Sequence, residues 1–226
     1  MSWILAEDGP GSAAWNMAFD EAMLLHAASF GAPMLRFYSW SEPAATFGYF
    51  QNYADICNWT QLRPLLRRPT GGGLVPHDAD WTYSLVSPPG HWWCEMRAEE
   101  SYKLLHTWIS HAFALARIDT ILSPCCAKEL PGRCFAGPEK FDLLHQGKKI
   151  AGAAQRRNKH GLLIQGSIQN PPPGVTRQEW QQAMIETGKD YLKGVPTAFG
   201  NDPAFLEDVK NLQASKYSAA EYNQKR

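Results

Sequence analysis

Three β-like runs separated by two tight-turn signals constrain the fold most. They are Phe141–Leu144, Lys149–Gln155 and Leu162–Ile168, with Gln146-Gly147 and Asn158–Gly161 between them. Strands joined by turns this short pair antiparallel, so this stretch reads as an antiparallel meander. Met34–Trp40 and Trp81–Ser87 read as two further strands, rich in aromatic and β-branched residues. Ala44–Asn52 reads as another, interrupted by Gly48. Helical spacing appears over Asn16–Ala28 and over about Arg97–Ile118, where Tyr102, Leu105, Ile109, Ala112 and Ala116 form one stripe. Thr176 with Glu179 is a capping-box pattern opening a helix through about Thr187. Asp202-Pro203 opens another through about Leu212, with Pro at the first helical position. The tail from Ser218 is expected to fray.

Strands and helices mix without strict alternation. That pattern predicts an α+β fold with a mixed, mainly antiparallel sheet and packed helices. The 226 residues suit one domain spanning 1–226. Pro171–Gly174 is the one tempting linker, and the chain beyond it is short for a second core.

Composition narrows the function. The 22 basic residues equal the 22 acidic ones, so no basic surplus points to nucleic acid or an anionic membrane. No apolar run approaches the roughly 18 residues of a membrane span, and the N-terminus has no basic, signal-like start. The five cysteines show no paired CxxC spacing, which argues against a disulfide framework and a structural zinc site. The expectation is a cytoplasmic protein without a metal.

The richest stretch for chemistry is "RRPTGGGLVPHDADWTYSLV", Arg67–Val86. Glycine lets another group approach the backbone, and a row of bare N–H groups can hold an oxyanion, a phosphate or an acyl carbonyl. No P-loop lysine follows, and the stretch runs into a β-like segment rather than a helix, so neither common phosphate fingerprint fits. A glycine triplet alone is as often a flexible surface turn. The flanking Arg67, Arg68, His77 and Asp78 lend it polar function.

"RRPTGGGLVPHD" resembles the signature of the lipoate-protein ligase A / octanoyltransferase superfamily, which includes the biotin protein ligases. "WNMAFDEAMLLHA" resembles that family's first helix, "LRFYSWSEPAATFGYFQN" its next segment, and "KFDLLHQGKKIAGAAQRRNKHGLLIQGSI" its lysine motif and following hairpin. The resemblance implies a biotin/lipoate protein ligase-like catalytic domain. Its glycine loop and lysine strand would line a tunnel for an eight-carbon acyl or lipoyl chain. The implied substrate-binding residues are Arg68, Thr70, Gly71, Gly72, Gly73, His77, Ala151 and Gly152.

Lys148 and Lys149 are adjacent on a predicted strand, so they point to opposite faces. Spacing alone favours two exposed lysines. The family's lysine directly before "IAG" selects Lys149 as catalytic, its ammonium holding the acyl carbonyl. Cys134 in "GRCFAGP" by itself reads as a small buried hydrophobe. The ligase-A-like octanoyltransferases carry a similar Cys-Phe followed closely by Pro, which implies Cys134 as a nucleophile. "HDADWTYS" resembles the same branch, whereas Gly73 is more ligase-like, and "LLIQGS" lacks the histidine usual before Gly-Ser.

The resemblance therefore implies an octanoyltransferase that moves an octanoyl group from acyl carrier protein to a lysine of a lipoyl domain or glycine-cleavage H protein. It would pass through a Cys134 thioester and need no cofactor. Arg67, Arg68 or Arg156-Arg157 would steer an acidic carrier. No C-terminal accessory domain is expected. One rival is an ATP-dependent lipoate-protein ligase, with ATP and Mg and with Arg67 and Arg68 on an acyl-adenylate. Another is a non-catalytic carrier-binding homologue.

Overall fold

The computed structural model describes residues 2–126, 137–200 and 202–225. Its main sheet has eight strands: β1 (Ser2–Gly11), β2 (Met34–Trp40), β6 (Trp81–Ser87), β7 (Ile121–Leu122), β8 (Leu143–His145), β9 (Lys148–Asn158), β10 (Gly161–Ile168) and β11 (Val195–Ala198). Their order is β11-β1-β2-β6-β10-β9-β8-β7. Pairing is parallel at β11, β1 and β2 and antiparallel from β2 through β7. A second sheet of three short strands, β3 (Ala44–Phe47), β4 (Leu65–Arg67) and β5 (Val75–His77), has the order β4-β3-β5. The fold is thus α+β with a mainly antiparallel sheet.

Alternation along the strands divides the core. Leu35, Phe37, Leu85, Leu162 and Ile164 face α4 (Ala98–Leu115) and α5 (Arg177–Leu192), where Trp108 and Trp180 are fully buried. Met34, Val86 and Leu163 face α1 (Ala13–Phe30) and α6 (Pro203–Leu212). Short helices α2 (Tyr53–Ile56), α3 (Trp92–Glu95) and α7 (Ala220–Asn223) and a π-helical turn, Gln213–Tyr217, complete the described elements.

Helix ends follow local chemistry. Thr176 and Glu179 form the expected capping box, and the side chain of Asp202 caps α6 with Pro203 in its first turn. The strand expected over Ala44–Asn52 stops at Phe47. A Cβ on Gly48 would lie 1.9 Å from the carbonyl oxygen of Gly72, so the chain turns there against the glycine loop. The Gly48 carbonyl then accepts from the Gln51 N–H at 3.0 Å, which closes the turn. The tail does not fray after Ser218: α7 docks, and Asn223 is buried against Arg67.

β9 carries a bulge. Leu143 pairs with Ala151 and Leu144 with Lys149, leaving Ile150 as the extra residue. In a regular strand Lys149 and Gly152 would point to opposite faces. The bulge brings them to the same side.

Candidate active site

A cavity of about 320 Å³ opens between the small sheet with its glycine loop and the β6, β10 and β9 part of the large sheet. Arg68, Gly72, Val75 and His77 line one side of it. Gln165, Ser167, Lys149 and Gly152 line another, and Tyr102 with residues 139–141 closes one end.

The glycine loop is held on both flanks. Gly72 has φ +84°, a conformation that favours glycine, and it is exposed at the cavity mouth. Thr70 is fully buried and donates from Oγ1 to Gln165 Oε1 at 2.8 Å. Gln165 Nε2 in turn donates to Asp20 Oδ2 at 2.7 Å. Asp20, in α1, also accepts from Arg36, Tyr38 and Ser84. One carboxylate therefore ties the first helix, two central strands and, through Gln165, the loop. Burial and then the Asp20 charge push the Tyr38 hydroxyl well above its ordinary pKa, so it stays a donor to that carboxylate.

His77 is buried and stacked on the Trp40 ring at 3.9 Å. Its Nδ1 lies 2.8 Å from Asp80 Oδ2, and its Nε2 lies 2.9 Å from Thr46 Oγ1. The sequence suggests Asp78 as its neighbour, but Asp78 is exposed and Asp80 is the partner. Thr82 and Ser167 also donate to Asp80 Oδ2. Burial alone would raise the Asp80 carboxyl, but the His77 charge and these three hydrogen bonds outweigh it, and the pKa is lowered.

Lys149 reaches the cavity wall while Lys148 is exposed. The Lys149 Nζ lies 2.7 Å from Asp142 Oδ2, with its side chain 6% exposed and that of Asp142 fully buried. Asp142 is itself held by the Tyr102 hydroxyl and, at 2.6 Å, by the Glu139 N–H. A Cβ on Gly152 would meet Lys149 Cε at 2.9 Å and Nζ at 3.0 Å. Gly152 thus makes room for the ammonium. Beside this group His106 is fully buried, and burial, reinforced by the Lys149 charge against that of Asp142, pulls its pKa down to about 4.

The structure therefore brings Arg68, Gly72, His77, Lys149 and Gly152 to one cavity. Thr70 stands behind it, and Gly71 and Gly73 flank Gly72 in the loop. Ala151 belongs to the α4/α5 core rather than the cavity, because it pairs with Leu143 and Ile168 on the other face of the sheet. Cys134 lies outside the described residues. Cys126, exposed, donates its thiol toward Glu139 Oε2 at 2.9 Å.

Arg67 and Arg68 do not offer a docking surface: they are 0% and 4% exposed. Arg156 and Arg157 are partly exposed, and each also donates to a backbone carbonyl, of Pro69 and Cys94 respectively. Asp20, Asp80, Asp142 and Gln165 are site-building residues that sequence reasoning missed. Asp20 and Asp142 lie inside the segments that resemble the family, and an acidic residue set within an apolar run, as in "AFDEAMLL" and "FDLL", is the signal that marks them, though not their partners. Among the described residues no group of three or more His, Cys, Asp or Glu could hold a metal ion, and no helix is long and apolar enough to cross a membrane.

The fold matches that of a T. acidophilum protein solved with bound lipoic acid, with TM-score 0.79, 23% identity and all of both chains covered. It likewise matches a lipoate-protein ligase A solved with ATP, with TM-score 0.79, 22% identity and 99% of each chain covered. Among curated proteins, the octanoyltransferase LipM of Bacillus subtilis is 33% identical over 180 residues, 74% of this chain and 65% of that protein. LipM of Oceanobacillus iheyensis is 36% identical over 173 residues, 74% of this chain and 63% of that one. The chain thus spans just under two thirds of these relatives' length. The lipoyl protein ligase A/B catalytic domain model matches residues 12–170, which contain the glycine loop, the Lys149 strand and the helix carrying Asp20. The chain belongs to the lipoyl protein ligase A/B catalytic domain family.

Proposed function

We propose that the protein is an octanoyltransferase, moving an octanoyl group from acyl carrier protein to a lysine of a lipoyl domain or glycine-cleavage H protein. The observation that carries this reading is the Lys149 ammonium, held by Asp142 at the wall of a cavity whose other side is the glycine loop. The cavity is at the small end of the range for ligand pockets. Burying the methylenes of an eight-carbon chain there contributes about 5 kcal/mol, at roughly 0.8 kcal/mol each.

In the first step the Cys134 thiolate attacks the carbonyl of the octanoyl thioester, and the carrier's thiolate leaves. One thioester replaces another, so the activation is retained. In the second step the acceptor lysine's neutral amine attacks that carbonyl. The amide forms, the amine gives up a proton, and the Cys134 thiolate leaves. In both steps negative charge develops on the carbonyl oxygen. Lys149 is the donor for it, with the N–H groups of Gly71–Gly73 as the second source. Gly152 gives the ammonium its place, and Arg68 and His77 border the acyl path. The LipM relatives are named octanoyltransferases, which supports the reading.

Arg68 favours a second reading. A guanidinium in the same cavity as Lys149 suits the phosphate of an acyl-adenylate, as in an ATP-dependent lipoate-protein ligase. One assay separates the two. The transferase acylates an apo lipoyl domain from octanoyl-carrier protein without ATP and is inert with ATP, Mg and free octanoate. The reverse pattern identifies the ligase.

A further inference from the structure

Arg67 is a fully buried cation outside the cavity lining, and its contacts join two distant parts of the chain. Its Nη1 donates to the carbonyls of Tyr49 and Gln51, each at 2.7 Å. Its Nε donates to the carbonyl of Tyr222 and its Nη2 to that of Asn223, each at 3.2 Å. Its backbone N–H donates to Asn223 Oδ1 at 2.9 Å. Asn223 is fixed in turn, its Nδ2 donating to the carbonyls of Tyr217 and Ala219. The planar fork of arginine suits a site that must satisfy several carbonyls at set angles.

The turn that Arg67 grips is the one that meets the glycine loop. The Tyr49 N–H donates to the Thr70 carbonyl at 2.9 Å, and Gly48 sits against the Gly72 carbonyl. A continuous path therefore runs from α7 through Arg67 and the turn at 48–51 to the backbone at 70–72. We infer that Asn223 and Arg67 form a brace that positions the glycine loop, so that the C-terminal helix sets the fit of the acyl group. The functional part rests on the reading of that loop as the acyl site. Asn223 acts through Arg67 and the turn and is a positioning residue.

Hydrogen exchange on the whole 226-residue chain tests the brace. Asn223→Ala deletes the acceptor for the Arg67 N–H. Exchange of the Tyr49 N–H, which donates to the Thr70 carbonyl, and of the Arg68 N–H, which donates to the Phe47 carbonyl, should then accelerate about tenfold or more while α4 stays as protected as before. Asn223→Asp keeps an acceptor oxygen and should restore most of the protection. If Asn223→Ala does not fold, Arg67→Lys carries the same test, because it keeps the charge and loses the fork. Faster exchange confined to 217–225, with the Tyr49 and Arg68 amides unchanged, overturns the brace. Turnover of the same variants reports on the acyl-site reading. A loosened loop should raise KM for the octanoyl donor about fivefold with kcat little changed, which Asn223→Asp should reverse. A loosened loop with unchanged KM leaves the brace standing and counts against the loop as the acyl site.

Discussion

Two buried cation–carboxylate pairs occupy the same molecule and do different things. Arg36 Nη1 lies 2.8 Å from Asp20, and Lys149 Nζ lies 2.7 Å from Asp142, with both carboxylates fully buried. The Arg36 guanidinium is sandwiched between the Phe19 and Tyr38 rings at 4.0 and 4.1 Å. Its other nitrogens are taken by Asp8 and Asn16. It is enclosed, and its product is the attachment of α1 to β2. The Lys149 ammonium borders a cavity instead, seated over a glycine on a bulged strand. Pair chemistry alone does not set the two cations apart. What lies on the far side of each does.

The largest expected effect falls on the enclosed pair. Arg36→Leu takes the cation from a fully buried carboxylate and should cost about 3–5 kcal/mol of stability, read by denaturant unfolding, with turnover of the remaining folded fraction reduced far less than by loss of Lys149. Lys149→Ala should reverse that pattern. Turnover should fall about 10²–10³-fold, as for loss of one donor to a developing oxyanion. The stability loss should be smaller than for Arg36→Leu, because removing Lys149 opens Asp142 to the cavity, whereas Asp20 stays enclosed. Equal stability losses with little rate effect would erase the distinction. Gly152→Ala should be intermediate: the added methyl would come within 3.0 Å of the ammonium, and kcat should drop about tenfold by displacing the donor rather than removing it. Lys148→Ala, on the exposed face, should change the rate by less than about twofold.

A further effect is in the pH dependence of stability. His106 is buried neutral beside Asp142 and Lys149, with its pKa lowered to about 4 from 6.5. Below pH 6.5 the unfolded chain takes up this proton and the folded one does not. Stability should therefore fall from pH 6.5 toward 4, by at most about 1.4 kcal/mol per pH unit. His106→Leu should flatten that slope in melting curves while leaving stability above pH 7 little changed.

The strands Met34–Trp40 and Trp81–Ser87 and the caps at Thr176 and Asp202 were legible because their signals are local. β1 was not. Its Asp-Gly-Pro-Gly stretch reads as a turn, and its pairing with β2 and β11 is set by tertiary contacts, with a register shift between Glu7 and Pro10. The three-residue strands β4 and β5 are too short to show a period. The docked tail was illegible because its partner, Arg67, lies 156 residues away.

The resemblance pointed to the loop and the lysine, both of which border the cavity, and strand alternation separates the exposed Lys148 from Lys149 at the cavity wall. It did not place Gly152 beside Lys149, because the bulge at Ile150 leaves no mark in the residue pattern. The partners Asp142, Asp20 and Gln165 were missed for a related reason. Which buried polar groups meet depends on strand order, and Asp20 and Gln165 are 145 residues apart.

The central claim is that the acyl group passes through a thioester on Cys134 with Lys149 at its carbonyl. Mass spectrometry of the protein mixed with octanoyl-carrier protein, without ATP, tests it most directly. The account predicts one added octanoyl group on the peptide containing Cys134, removed by hydroxylamine, absent in Cys134→Ala, retained in Cys126→Ala and formed much more slowly in Lys149→Ala. Full transfer to a lipoyl domain by Cys134→Ala, with no labelled peptide in the wild type, would contradict it.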